Sequence, residues 1–188
     1  MLVSEGIDAI GLNFVSSSPR SVTIEVARSI CNAIGTNVTT VAVVANMPAA
    51  AVRLLLAETG IQCVQFHGDE EPALVAQFLP HAYKAIAIRD AKDVEIASAY
   101  AGDHLLVDAK VDGQLGGTGQ AFDWQLVKHL AQTRKVTLAG GLTSANVGCA
   151  ISIVRPYCVD VASGVESTPG IKDPAKVRAF VEAAFFTT

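Results

Sequence analysis

Residues 104–141 read "HLLVDAKVDGQLGGTGQAFDWQLVKHLAQTRKVTLAGG". The stretch opens with an apolar run of strand length, "HLLVDA" (104–109). It passes through glycine-rich chain into a segment with helical spacing, "DWQLVKHLAQ" (123–132), and returns to a second apolar run, "VTLAGG" (136–141). Neither run alternates apolar with polar residues, which is the pattern of a strand covered on both faces, as in a parallel sheet. Two such strands joined through a helix make a β-α-β unit with a right-handed crossover. Each run also ends on residues unlike its interior: Asp108 in the first, Gly140 and Gly141 in the second.

The same unit recurs along the chain. Further strand-like runs are "DAIGLNF" (8–14), "TTVAVVA" (39–45), "CVQFHG" (63–68), "YKAIAI" (83–88) and "CVDVAS" (158–163). Helical spacing fills the intervals at 21–34, 48–60, 71–80, 93–100 and 144–154, and follows the last run at 173–185. Pro48, Pro72 and Pro174 each stand near a helix start, where a missing N–H costs little. Repeated β-α units leave two architectures, an open doubly wound sheet or a closed barrel. An open dinucleotide-binding sheet would carry G-x-G-x-x-G after its first strand, and "GLNFVSSSPR" has none. Polar residues or glycines instead close the strands, as Asn13, Asn46, His67 with Gly68, Asp108, Gly140 with Gly141, and Ser163 with Gly164. In a (β/α)8 (TIM) barrel those ends make the active-site face.

The expected fold is therefore α/β, of the TIM (β/α)8 barrel class, with residues 1–188 as a single domain. Seven of eight strands are counted, and "MLVSEGI" reads as the last turn of a helix ended by Gly6. The first strand and most of the first helix are thus expected to be missing, leaving an N-terminally incomplete barrel whose exposed edges invite self-association.

Composition narrows the function. Of 188 residues 51% are hydrophobic and 17% charged, and the net charge of −4 is spread without long runs, which argues against a nucleic-acid face or an electrostatic membrane anchor. No apolar segment is long enough to span a bilayer and no leader precedes the first run, so a cytoplasmic protein with a small-molecule ligand is expected. Cys31, Cys63, Cys149 and Cys158 are scattered without C-x-x-C pairing, so neither a metal site nor a disulfide framework is expected.

Several strand-end residues suit chemistry. Asp108 is a candidate acid; an aspartate after a strand also serves as a cap, but the catalytic end of a barrel strand favours function. The glycine-rich stretch after it, "GQLGGTGQ" (113–120), has the composition of a closing lid or of a plain connection. Gly140 and Gly141 stand between a strand and a helix, where bare N–H groups can face an anion, and Ser163 with Gly164 repeats the arrangement. Together they suggest a phosphate cradle, the alternative being close helix–strand packing. Arg20 has the planar fork that binds a carboxylate, and His67 either lines a pocket or satisfies a backbone carbonyl.

Taken in order, "GIDAIGLNFVSSSPRSV", "VQFHGDE", "LLVDAKVDGQLGGTGQAFDW", "LAGGL" and "VRPYCVDVASGVESTPGIKD" resemble the phosphoribosylanthranilate isomerase family of tryptophan biosynthesis, from end to end. The resemblance implies an Amadori rearrangement of N-(5′-phosphoribosyl)anthranilate to the 1-deoxyribulose isomer, without cofactor or metal. It implies that Asp108 is the general acid that protonates the furanose oxygen and that Arg20 holds the anthranilate carboxylate. His67 would line the pocket, while Gly140, Gly141, Ser163 and Gly164 would bind the phosphate. Ala162 departs mildly, since many relatives carry a second serine there. The family's base, a cysteine within a Lys-Ile-Cys-Gly segment, has no counterpart in this chain, so impaired activity is expected. Alternatives are another phosphosugar barrel enzyme, such as indole-glycerol-phosphate synthase or an epimerase, and a non-catalytic phosphosugar-binding barrel.

Overall fold

A computed structural model of the chain describes residues 1–108 and 124–186. The chain divides into two compact units, residues 1–84 and 85–188.

The first unit opens with a 3-10 turn, Leu2–Glu5, closed by Gly6 at φ 78° with its N–H on the Val3 carbonyl. The sequence places a helix end there, and the structure has a single tight turn. Strands β1 (Ala9–Asn13), β2 (Thr39–Val44), β3 (Cys63–Phe66) and the start of β4 (Ala82–Ala87) then alternate with helices α1 (Ile24–Ile34), α2 (Ala49–Thr59) and α3 (Pro72–Ala76). Neighbouring strands are parallel, with Asn13 opposite Val43, Val44 opposite Phe66 and Val64 opposite Ala82. Their side chains are buried on both faces: Val41 and Ala42 of β2 and Val64, Gln65 and Phe66 of β3 are successive buried residues, and Phe78 packs on Phe66 with ring centroids 5.4 Å apart. This two-sided burial is why the runs lack alternation. At the edge, Ala9 and Gly11 of β1 are exposed, and among the described residues β1 shares a ladder with β2 alone.

The second unit takes up β4 and continues through α4 (Ala91–Ala97), β5 (His104–Asp108), α5 (Gln125–Thr133), β6 (Lys135–Ala139), α6 (Val147–Val154), β7 (Cys158–Val159) and α7 (Pro174–Phe185). Its strands are again parallel, Asp108 lying opposite Ala139 and Thr137 opposite Cys158. Leu105, Leu106, Val107, Val136 and Leu138 of the strands are buried, as are Val127, Val147, Ala150, Val177 and Phe180 of the helices. The strands follow one another in chain order from β1 to β7. Among the described residues no helix is long and apolar enough to cross a membrane.

Local chemistry moves several boundaries from their expected places. Helix α1 starts at Ile24 rather than 21 because the Thr23 hydroxyl accepts from the Val26 N–H and so becomes its cap. Helix α4 starts early because Asp90 accepts from the N–H groups of Lys92 and Asp93. After Ala76 the chain continues in i to i−3 bonds, Gln77 to Leu74 and Phe78 to Val75, so α3 is short. The last strand keeps only two ladder residues. Beyond it come a 3-10 turn, Ser163–Val165, and a small antiparallel hairpin of β8 (Glu166–Thr168) and β9 (Ile171–Lys172), which turns at Pro169–Gly170 and was not expected.

One ion pair ties the end of β4 to α4. Asp93, with its side chain 7% exposed, accepts from Arg89 Nε at 3.0 Å, from another guanidinium nitrogen at 3.1 Å and from the Arg89 backbone N–H at 2.8 Å. These hydrogen bonds hold its carboxyl below the usual 3.8. An acid whose folded pKa is depressed stabilises the fold above its unfolded pKa and loses that contribution as pH falls through the folded value. Asp93→Asn is therefore expected to melt below wild type at pH 7, with the gap closing in acid below that range. Thermal melts of both proteins across pH 2–7, by circular dichroism, check it; a gap independent of pH would contradict the ionic role.

Candidate active site

In the first unit the C-terminal strand ends are bound to one another through backbone and side chain. Asn13, closing β1, accepts from the Val15 N–H through Oδ1, and its carbonyl accepts from Val22, so the loop carrying Arg20 returns to the strand. Arg20 is half-buried in this loop and its own N–H donates to Ser18 Oγ at 3.2 Å. After β2, Asn46 sits at φ 55° and accepts from the Asp69 N–H through Oδ1. After β3, the His67 N–H donates to Val44 at 2.7 Å. Gly68 follows, and a Cβ there would stand 2.5 Å from Asn46 Oδ1 and 2.7 Å from its backbone nitrogen. Only glycine allows that approach.

A buried ion pair holds these loops. One carboxylate oxygen of Glu70 accepts from the Asn46 N–H at 2.7 Å and the other from the Gly68 N–H at 2.9 Å. Lys84, reaching in from β4, places Nζ 3.5 Å from Glu70 and donates to the carbonyls of Gly68 at 2.7 Å and Phe66 at 3.2 Å. The two side chains are 6% and 1% exposed, and burial pushes the Lys84 ammonium below its ordinary pKa against the opposing pull of Glu70. Neither residue was singled out from sequence. The available signal was Lys84 itself, a charge inside the buried run "YKAIAI", which demands a partner.

His67 is exposed, and its Nδ1 lies 2.8 Å from Gln65 Oε1, while Gln65 Nε2 donates to the Tyr83 hydroxyl at 3.1 Å. This side-chain contact of Nδ1 was not anticipated from sequence.

In the second unit Asp108 closes β5, half-buried, its carbonyl accepting from the Ile88 N–H at 3.2 Å. The glycine-rich stretch read as a lid, 113–120, lies outside the described residues. Gly140 and Gly141 follow β6 at φ 90° and 68°. Asn146 shapes this loop by donating to the Gly141 carbonyl and accepting from the Thr143 N–H. The loop after β7 comes against it: a Cβ on Gly164 would run into the Leu142 carbonyl oxygen, so the two glycine loops meet backbone to backbone. Ser163 is exposed beside this contact. Lys172 of the hairpin donates to the Ala162 carbonyl at 2.9 Å and lies 3.2 Å from buried Glu166, and Lys176 donates to the Glu166 carbonyl. These lysines pin the far side of the Ser163–Gly164 loop. Within the second unit the structure thus sets Gly164 against Leu142, the residue that follows Gly140 and Gly141, in the loop after the strand paired with the one that ends on Asp108.

The cysteines stand elsewhere. Cys63 and Cys158 begin β3 and β7, while Cys31 and Cys149 lie within α1 and α6. Burial pushes the Cys63 thiol up to about 11, so it is protonated at neutral pH.

Parallel β-α units with glycine loops on adjacent strand ends, beside an acid, define a phosphosugar-type β/α enzyme. Comparison with known proteins makes this specific. Residues 2–183 match the family model described as N-(5'phosphoribosyl)anthranilate (PRA) isomerase. An N-(5'-phosphoribosyl)anthranilate isomerase of Pseudomonas fluorescens (strain SBW25) is 43% identical over 183 residues, covering 96% of this chain and 87% of that protein. The crystal structure of phosphoribosyl anthranilate isomerase from Thermotoga maritima superposes with a TM-score of 0.89 at 32% identity, over 98% of this chain and 91% of that one. A second, of an isomerase in complex with reduced 1-(o-carboxyphenylamino)-1-deoxyribulose 5-phosphate, gives 0.86 at 30% identity over the same shares. The chain belongs to the phosphoribosylanthranilate isomerase family, the isomerases of tryptophan biosynthesis, and shares its α/β fold of parallel strands.

Two substitutions test the supports of these loops. Glu70→Leu leaves the Lys84 ammonium buried without its counter-charge and is expected to cost about 3–5 kcal/mol. Adding Lys84→Met should restore part of the loss, and urea unfolding of the single and double variants reads both; a double variant as unstable as the two singles summed would contradict the pairing. Gly164→Ala forces the two glycine loops apart, an overpacking cost of about 1–3 kcal/mol. Its expected signature is a lower melting temperature together with weaker binding of inorganic phosphate by calorimetry.

Proposed function

We propose that this isomerase divides its chemistry among the strand ends as follows. Asp108 is the general acid: it protonates the furanose ring oxygen, so that the sugar opens to a Schiff base. The backbone N–H groups around Gly140, Gly141 and Gly164, with the Ser163 hydroxyl, take the 5′-phosphate; the meeting of the two glycine loops supports this reading. Arg20 binds the anthranilate carboxylate through its planar fork, and His67 faces the substrate. The observation that carries the reading is the position of Asp108, half-buried at the end of β5 beside β6 and its glycine loop.

The Schiff base must lose its C2′ proton to a base to give the enol amine that tautomerises to the ketone. None of Cys31, Cys63, Cys149 and Cys158 sits at a C-terminal strand end, so the family's cysteine base falls to a segment outside these 188 residues, a first strand and helix completing an eight-stranded, single-domain barrel. The exposed edge of β1 supports that reading, and supports self-association of the chain in its absence. The same distribution of cysteines favours a second reading, a phosphosugar-binding barrel without turnover. We further infer a cytoplasmic protein acting on a small phosphorylated molecule rather than on nucleic acid.

Asp108→Asn separates acid from ligand. In a protein extended upstream by the family's first strand, the substitution is expected to lower turnover by ~10²–10⁴-fold. Calorimetry with the reduced deoxyribulose phosphate analogue should show affinity unchanged within a few-fold. Retained turnover would remove Asp108 from the role of acid, and an extended wild-type protein without turnover would favour the binding protein.

A further inference from the structure

The hairpin behind the Ser163–Gly164 loop sets a cation on one particular peptide group. Glu166 and Lys172 are directly opposite each other in the β8–β9 ladder, so their side chains leave the same face. Lys172 Nζ stands 3.2 Å from Glu166 Oε1 and donates to the Ala162 carbonyl at 2.9 Å. The Glu166 side chain is 4% exposed, so water competes little for the carboxylate that holds the ammonium. The turn between them is tied to the same support. The Glu166 N–H donates to the Ser163 carbonyl, the Asp173 N–H to that of Val165 at 2.9 Å, and Lys176 to that of Glu166 at 2.7 Å.

A trans peptide is planar, with its C=O and N–H pointing to opposite sides. A cation that draws the Ala162 carbonyl toward the hairpin therefore turns the Ser163 N–H, in the same peptide, away from it. The ammonium also polarises that peptide, since a hydrogen bond accepted at the oxygen strengthens the donor at the nitrogen. We propose that Lys172 is a positioning residue for the phosphate: it acts through the Ala162–Ser163 peptide, presenting the Ser163 N–H to the anion without itself touching the anion. Glu166 keeps the ammonium on that carbonyl, and the hairpin register sets its reach. Gly164 closes on the Leu142 carbonyl one residue further on, so losing Lys172 frees the peptide to rotate rather than the whole loop to move. The role of Lys172 rests on the reading of this loop as part of a phosphate cradle.

Amide NMR of the 188-residue protein, titrated with inorganic phosphate, reads the N–H groups of both glycine loops separately. In wild type the amide protons of the Gly140–Gly141 and Ser163–Gly164 loops are expected to move downfield. In Lys172→Met the Ser163 response should be lost even at saturation while that of the Gly140–Gly141 loop remains. Phosphate affinity should fall about tenfold, as for one hydrogen bond to a charged group. Lys176→Met removes the same charge from nearby but not from this peptide, and its Ser163 response should match wild type. Because Lys172→Met leaves the Glu166 carboxylate buried without its counter-charge, the double variant Lys172→Met with Glu166→Leu is measured too, with the same loss expected. Glu166→Gln, which leaves the ammonium on the Ala162 carbonyl, should keep the response. A Ser163 amide that still moves fully at saturation in Lys172→Met or in the double variant overturns the proposal, and so does an equal loss in Lys176→Met. If no amide of either loop moves in wild type, the phosphate reading itself fails.

Discussion

A parallel strand covered on both faces has almost nowhere to put a polar side chain except at its ends. Leu105, Leu106 and Val107 of β5 are all but fully buried, and the next residue, Asp108, is half open. Val64 and Phe66 of β3 are fully enclosed, and His67 follows them into solvent. Parallel pairing sets neighbouring strands in the same direction, so the C-terminal ends of neighbours fall side by side: Asn13 beside Val43, Val44 beside Phe66, Asp108 beside Ala139. A polar side chain buried inside a strand, as Gln65 and Lys84 are, must instead find a partner there.

Loops that leave such strands abruptly must satisfy their own N–H and C=O groups. The first unit does so with a buried ion pair whose two charges serve opposite halves of the peptide group. Glu70 takes the N–H groups of Asn46 and Gly68, and Lys84 takes the carbonyls of Phe66 and Gly68. The pair's own attraction is offset by the desolvation of both ions, so its value lies in the backbone it arrests. The second unit uses neutral groups and close approach for the same task. Asn146 bridges its loop from inside, Gly164 lets two backbones touch, and Lys172 and Lys176 secure the hairpin behind.

An Amadori rearrangement needs a proton given at one atom and taken from another, and these residues supply the two halves unequally. Asp108, the acid of the proposed mechanism, stands at a strand end, held by the ladder beneath it. A thiol base would need surroundings that stabilise the thiolate, and Cys63, raised by burial to about 11 at the start of its strand, lacks them.

The order of elements was legible from sequence, because two-sided burial and helical spacing both leave periodic traces that need no knowledge of contacts. All seven strands of the parallel sheet were anticipated, and Asp108, Gly140 with Gly141, and Ser163 with Gly164 were placed at or just after strand ends, since polar and glycine residues at the end of an apolar run stand out locally. The stretch read as a lid lies outside the described residues, and the roles of Arg20 and His67 came from resemblance. What only the tertiary structure decided is what touches across strands. Glu70 and Lys84 are 14 residues apart in sequence and Gln65 and Tyr83 are 18 apart. Nothing local links either pair, because a ladder register, not spacing along the chain, brings β3 and β4 into contact. The hairpin of β8 and β9 was likewise hidden: its strands are too short to leave a pattern, and they are held by the buried Glu166 and the lysines around it. Sequence periodicity reports which faces are buried; register and loop closure set which polar groups meet at the ends, and those depend on the whole sheet.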